Sequence, residues 1–407
     1  MKYIPVLLFL LALSSCKTEI IRPVTIEDDV VFLSADSLEG RQTGTEGEIL
    51  AAKYIAKRLK NLGATPKGTN EFFQEFTFKP KTNPHQKVNY TIKEGDSTIT
   101  GTNVIGFLNN NAENTIVIGA HYDHLGYGAE GSLHRGEKAI HNGADDNASG
   151  VAVMLSLAEK LKSKNTNNNY LFMAFSGEEM GLLGSNYFVK NPTIDTKKVN
   201  YMINMDMVGR LKADSTLAVY GVGTSPILKQ TLKSHNDSFK LIVKESGIGP
   251  SDHTSFYNAD IPVLHFFTGQ HEDYHKPSDD FEKLNYKGMQ TISNYIFEVI
   301  SDLDDNGKLP FRKTKNESEE TPRFKVGLGV IPDYLFDGKG MRIDGISEEK
   351  PAQKAGLQKG DIVVKLGDSA VVDMMSYMKV LATFEKGDTT KVIVDRKGEM
   401  VEANIEF

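Results

Sequence analysis

Apolar residues along this chain fall into two patterns, and each predicts a different element. At Ile49, Ala52, Ala56 and Leu59 they recur every three or four positions, which predicts an amphipathic helix over Ile49–Leu62 with Gly63 as its stop. The same spacing predicts helices over Val151–Leu161 and Met289–Leu303. Elsewhere the apolar residues form short unbroken runs: Thr115–Gly119, Tyr170–Phe175, Tyr201–Met205, Leu217–Tyr220 and Val263–Phe267. Runs of that kind suit strands buried on both faces, as in a mostly parallel mixed sheet sandwiched by helices, so the first unit reads as α/β. A more β-rich stretch precedes them, at Phe72–Phe78, Val88–Ile92 and Val104–Leu108.

The texture breaks at Asp304–Arg323, which is charged, poor in apolar residues and punctuated by Gly307, Pro310 and Pro322. It reads as a linker between a domain spanning residues 17–303 and a small β-rich domain over residues 324–407. A length of 407 residues agrees with two cores rather than one. With 39% hydrophobic and 25% charged residues the chain has the composition of a globular protein. A net charge of −7 gives no basic footprint for nucleic acid.

Cysteine changes the picture more. Cys16 stands alone, so no intrachain disulfide can form. It follows a short apolar run, Ile4–Leu13, too short to span a bilayer, and the stretch Leu13-Ser14-Ser15-Cys16 resembles a bacterial lipobox. Residues 1–16 are therefore expected to be a lipoprotein signal peptide, with Cys16 as the lipid-bearing membrane anchor. Lys17 in place of an aspartate favours the outer membrane of a Gram-negative cell envelope.

Candidate chemistry sits where the apolar strands end. The first ends in His121-Tyr122-Asp123-His124, the next in Ser176-Gly177-Glu178-Glu179, the next in Asn204-Met205-Asp206, and the last leads to His275. Between the first two runs, Asn142-Gly143-Ala144-Asp145-Asp146-Asn147 opens a helix. Open α/β sheets place their ligand sites at such strand ends. Zinc takes nitrogen from His and oxygen from Asp or Glu, and a paired site needs a carboxylate that can bridge two ions. Acidic residues crowded in one pocket stay ionised only if cations are present.

The segments HYDHLG, NGADDNASG, SGEEMGLLGS, INMDMVG and YHKPSDD, in this order, resemble the co-catalytic zinc aminopeptidases of metallopeptidase family twenty-eight over about Asp28–Asp302. The resemblance implies a zinc-peptidase fold holding two Zn2+ ions and acting on peptides as an exopeptidase, most simply an aminopeptidase. It implies Asp145 as the bridging ligand, His121 and Asp206 at one ion, Glu179 and His275 at the other, Glu178 as general base, and Asp123 orienting the ring of His121. It also implies a cis bond between Asp145 and Asp146. Carboxypeptidases and one-zinc glutaminyl cyclases share this fold and are alternatives, as is a non-catalytic envelope scaffold.

A competing motif is present. His271-Glu272-Asp273-Tyr274-His275 matches H-E-x-x-H, which binds one zinc only when carried on a helix. Gly269 before it and Pro277 after it argue against a helix, so His271→Ala is expected to leave most activity. His124, His134 and His141 are expected to rim the pocket and structure its loops, while His253 and His265 read as packing residues.

At the C-terminus, Pro351–Ile362 and Gly367-Asp368 resemble a PDZ domain over Phe324–Phe407. Gly327-Leu328-Gly329-Val330 is then the loop expected to capture a peptide's C-terminal carboxylate. Asp333–Gly340 reads as an insertion beside that groove.

Overall fold

The computed structural model describes residues 23–80, 90–128, 131–315, 324–336 and 338–407. Cys16 and its flanks lie outside the described residues. Nine strands form one sheet: β1 (Thr65–Pro66), β2 (Phe73–Phe78), β3 (Ile99–Leu108), β4 (Asn114–His121), β5 (Asn168–Phe175), β6 (Val199–Met205), β7 (Thr216–Tyr220), β8 (Lys240–Val243) and β9 (Val263–Phe267). Their order is β1-β3-β5-β4-β6-β9-β7-β8, with β2 paired to β3. The centre, β5-β4-β6-β9, is parallel throughout, and antiparallel pairs flank it at β3–β5 and β7–β9.

The unbroken apolar runs have the predicted cause. Every residue of β5 and β6 is buried. Along β5, Tyr170, Phe172 and Ala174 join the core under the helices Gly150–Leu161 and Tyr286–Leu303. The alternate residues Leu171, Met173 and Phe175 join a second core with Phe188 and Phe256, on the helices Leu183–Lys190 and His253–Tyr257. Side chains of a strand alternate faces, so a strand covered on both sides must be apolar at every position.

Two expectations are corrected. Tyr90–Ile92 form no strand; those residues run as irregular loop. The stretch after Leu303 is not a free linker as far as Thr314. Leu309 is buried and its N–H bonds Asn200, Phe311 packs into the second core, Arg312 N–H bonds Thr224, and Thr314 pairs with Tyr257. Few apolar residues suffice to dock an extended segment when backbone groups find partners, which is why composition misread it.

The C-terminal unit has its own core, built on Leu328, Ile343, Leu357, Val363, Leu366, Val392 and Val394. Its strands are β10 (Val330–Pro332), β11 (Met341–Ile346), β12 (Ile362–Leu366), β13 (Ser369–Ala370), β14 (Thr389–Arg396) and β15 (Glu399–Glu406), all antiparallel. The connection from β10 to β11 turns toward the first domain. Leu335 there is buried against Gly269, and Lys212 reaches Asp344 at 2.8 Å.

Candidate active site

Four parallel strands deliver the site. His121 ends β4, Glu178 and Glu179 follow β5, Asp206 follows β6, and the segment after β9 carries His275. The turn 142–149 fills the space between them. Gly143, at φ +54°, begins it; a Cβ there would lie 2.1 Å from the Asp146 carbonyl and 2.5 Å from the His124 ring, so no larger residue fits.

At the centre stands Asp146. Its Oδ1 lies 3.3 Å from His121 Nε2 and its Oδ2 lies 3.2 Å from His275 Nε2. One carboxylate thus divides its two oxygens between two imidazoles. On the first side Asp206 Oδ1 approaches His121 Nε2 at 3.5 Å, and Glu178 joins these two in a group whose donor atoms lie within 4.8 Å of one another. On the other side Glu179 Oε2 lies 3.2 Å from His275 Nε2, and Glu179, Asp146 and His124 form a second such group.

Asp145, expected to bridge, is elsewhere. Its Oδ2 contacts His271 Nε2 at 3.1 Å, its Oδ1 accepts from Gly209 N–H at 2.6 Å, and both its own N–H and that of Asp146 bond Asp279. The non-proline cis bond joins Asp146 to Asn147, one residue later than expected. Two adjacent aspartates have identical chemistry, and only the path of the turn decides which one faces the histidines.

Asp123 and the surroundings of His275 flank this centre. Asp123 Oδ1 accepts the Glu178 N–H at 3.1 Å, and Thr43 holds its Oδ2. Its carboxylate is 3.6 Å from His121 Nδ1, but the closer contact to that nitrogen is the Asp123 carbonyl, at 3.2 Å. His275 Nδ1 faces the Gly131 carbonyl at 2.9 Å, and Tyr274 stacks on the ring at 3.8 Å. Both imidazoles are therefore oriented with Nε2 toward the carboxylates, the arrangement metal-binding histidines need. His271 and His275 lie in a turn and diverge, so H-E-x-x-H is not formed as a motif.

Electrostatics report the same demand for cations. Burial opposes charge on His121, but Glu178 and Asp206 outweigh it and hold its pKa well above the ordinary value. His275, also disfavoured by burial, is raised to about 11 by Glu179 and Asp146. Burial pushes Glu178 well above the carboxylate range; nearby His121 only partly offsets this. Nitrogen and oxygen donors in this number fit divalent zinc.

Sequence reasoning missed three contributors. Arg41 is fully buried, and its guanidinium donates to the carbonyls of Leu33, Tyr122, Asn142 and Gly143, pinning the β4 exit to the Asp146 turn. Burial lowers its pKa to about 10 even beside Asp123 and Asp146. Asp279 caps that turn from within YHKPSDD. His124 was placed at the rim, yet it is buried and its Nδ1 lies 2.7 Å from Glu179 Oε1. The loop-structuring role holds for the other two: His134 Nε2 faces the Glu137 carbonyl and His141 bonds Ser132 and Ala139. His253 and His265 stack at 4.4 Å inside the core.

A parallel-centred α/β sheet thus ends in two imidazoles that share one carboxylate. Residues 103–300 match the model of peptidase family M28 and residues 311–407 that of the PDZ domain: the chain carries an M28 peptidase domain followed by a PDZ domain. Aminopeptidase YwaD of Bacillus subtilis is 28% identical over 225 residues, covering 52% of this chain and 46% of that protein. The alkaline phosphatase isozyme conversion protein of Escherichia coli is 29% identical over 211 residues, covering 51% and 57%. The chain thus spans about half the length of the curated relatives it matches. Among solved structures, a zinc aminopeptidase from Bacillus subtilis superposes with a TM-score of 0.53 at 19% identity, covering 72% of this chain and 97% of that one. Porphyromonas gingivalis glutaminyl cyclase gives 0.54 at 17% identity, covering 68% and 97%, so the two are alike in fold.

Proposed function

We propose that this protein is a zinc-dependent exopeptidase, an aminopeptidase, that holds two zinc ions about Asp146. The observation that carries the proposal is the division of the Asp146 oxygens between His121 and His275. His121 and Asp206 would hold one ion and Glu179 and His275 the other. When bound, the ions supply Lewis acidity toward a peptide carbonyl and an attacking water.

The chain's own groups do the rest. Glu178 is placed to accept the proton of the attacking water at its carboxylate and to return it to the departing amine. Burial raises the proton affinity of that carboxylate above the ordinary range. Asp123 fixes the Glu178 backbone and so the direction from which the carboxylate reaches. Arg41 ties together the two loops that bear His121 and Asp146.

The test is an aminoacyl-nitroanilide assay of the full chain with and without chelator. Chelator-sensitive release of N-terminal residues is expected; pyroglutamate formation from glutaminyl peptides would favour the cyclase reading, and binding without turnover a scaffold. We further propose that Cys16 anchors the protein in the cell envelope and that the PDZ domain takes a peptide at Gly327–Val330. Fractionation of wild type and Cys16→Ala checks the anchor, with release of the variant from membranes expected.

A further inference from the structure

On the side of Asp146 opposite Glu178, Glu179 has both oxygens engaged. Its Oε2 faces His275 at 3.2 Å and its Oε1 lies 2.7 Å from His124 Nδ1. A carboxylate only accepts, so that nitrogen carries the proton. His124 Nδ1 is 3.9 Å from the nearest oxygen of Asp146, too far for a second hydrogen bond. The ring is clamped. Its backbone N–H bonds the Arg41 carbonyl, and one edge lies against Gly143. His124 Nε2 is buried and meets no hydrogen-bond partner among the described residues.

We propose that His124 is a positioning residue that holds Glu179 Oε1 through Nδ1–H and thereby turns Oε2 toward the metal shared with His275. The inference rests on the two-zinc reading above. It explains how adjacent glutamates take different tasks: Glu179 is fixed at both oxygens, whereas Glu178 is held by its backbone. A short charge-assisted bond of this kind is the strong sort, and partners one step behind a metal ligand typically set affinity by about 10–100-fold.

The chemistry of the ring gives a sharp test. In asparagine the side-chain nitrogen falls where Nδ1 lies; in glutamine it falls where Nε2 lies. Zinc affinity and ions per chain would be measured by competition with a chromogenic chelator on purified His124→Ala, His124→Asn and His124→Gln, each with its melting curve. Alanine is expected to weaken the second ion about 10–100-fold while the first stays, asparagine to recover most of that loss, and glutamine to recover little. Wild-type affinity in the alanine variant would overturn the proposal. So would equal recovery by glutamine, which would make the ring mere packing. If asparagine fails and the cobalt-substituted protein loses a nitrogen ligand by its absorption spectrum, His124 binds metal itself and the positioning role is refuted. A wild-type protein that takes up no pair of ions would instead sink the underlying two-zinc reading.

Discussion

The two sides of Asp146 differ by one residue's chemistry. Beside His121 and Asp206 the spare group is a carboxylate, Glu178; beside His275 and Glu179 it is an imidazole, His124. A spare base with its pKa pushed up can move protons, while a spare donor bonded to a ligand can only hold it. In the proposed two-zinc reading, this difference gives proton transfer to the first side and retention of metal to the second. Backbone position alone would not separate Glu178 from Glu179, since they are neighbours on one loop.

Substitutions that break this asymmetry rank in size. Asp146→Asn should cost most, because both sides lose their shared ligand: metal and activity fall together. Glu178→Gln should keep its metal and lose about 10²–10⁴-fold in turnover, read as kcat against zinc content. Glu179→Gln should lose metal, and equal metal loss in both glutamate variants would erase the distinction. His271→Ala should leave the ions in place but strand buried Asp145, lowering stability by about 3–5 kcal/mol in denaturant melts.

The smallest effect lies away from both sides. Burial pushes the pKa of Glu48 up to about 7, although Ser176, Thr102 and Tyr122 donate to it. A carboxyl raised in this way stabilises the fold while protonated, and that contribution is lost as pH climbs through about 7. Wild type should therefore lose roughly 2–3 kcal/mol from this group between pH 5 and pH 8. Glu48→Gln should flatten that part of the profile in thermal melts at the two pH values.

Much of this was legible beforehand because period and chemistry spoke together. The apolar runs became β4, β5, β6, β7 and β9, and the strand-end residues His121, Glu178, Glu179, Asp206 and His275 do converge. What failed needed three-dimensional paths. Asp145 and Asp146 are equal as letters, and the turn after Gly143 chose between them. His124 looked like a rim residue because nothing local reveals that its ring folds inward over that glycine. Arg41 is charged and lies within no apolar stripe, so its burial on four carbonyls left no periodic trace. The segment 304–314 misled through composition, its docking being a matter of backbone bonds and two apolar side chains.

The most direct test counts zinc in Asp146→Asn and Asp145→Asn, each purified as a folded chain and measured by plasma mass spectrometry beside wild type. Two ions per chain are expected in wild type and in Asp145→Asn, and fewer than one in Asp146→Asn. Retention of both ions by Asp146→Asn, with loss in Asp145→Asn, would contradict the bridging role on which the mechanism stands.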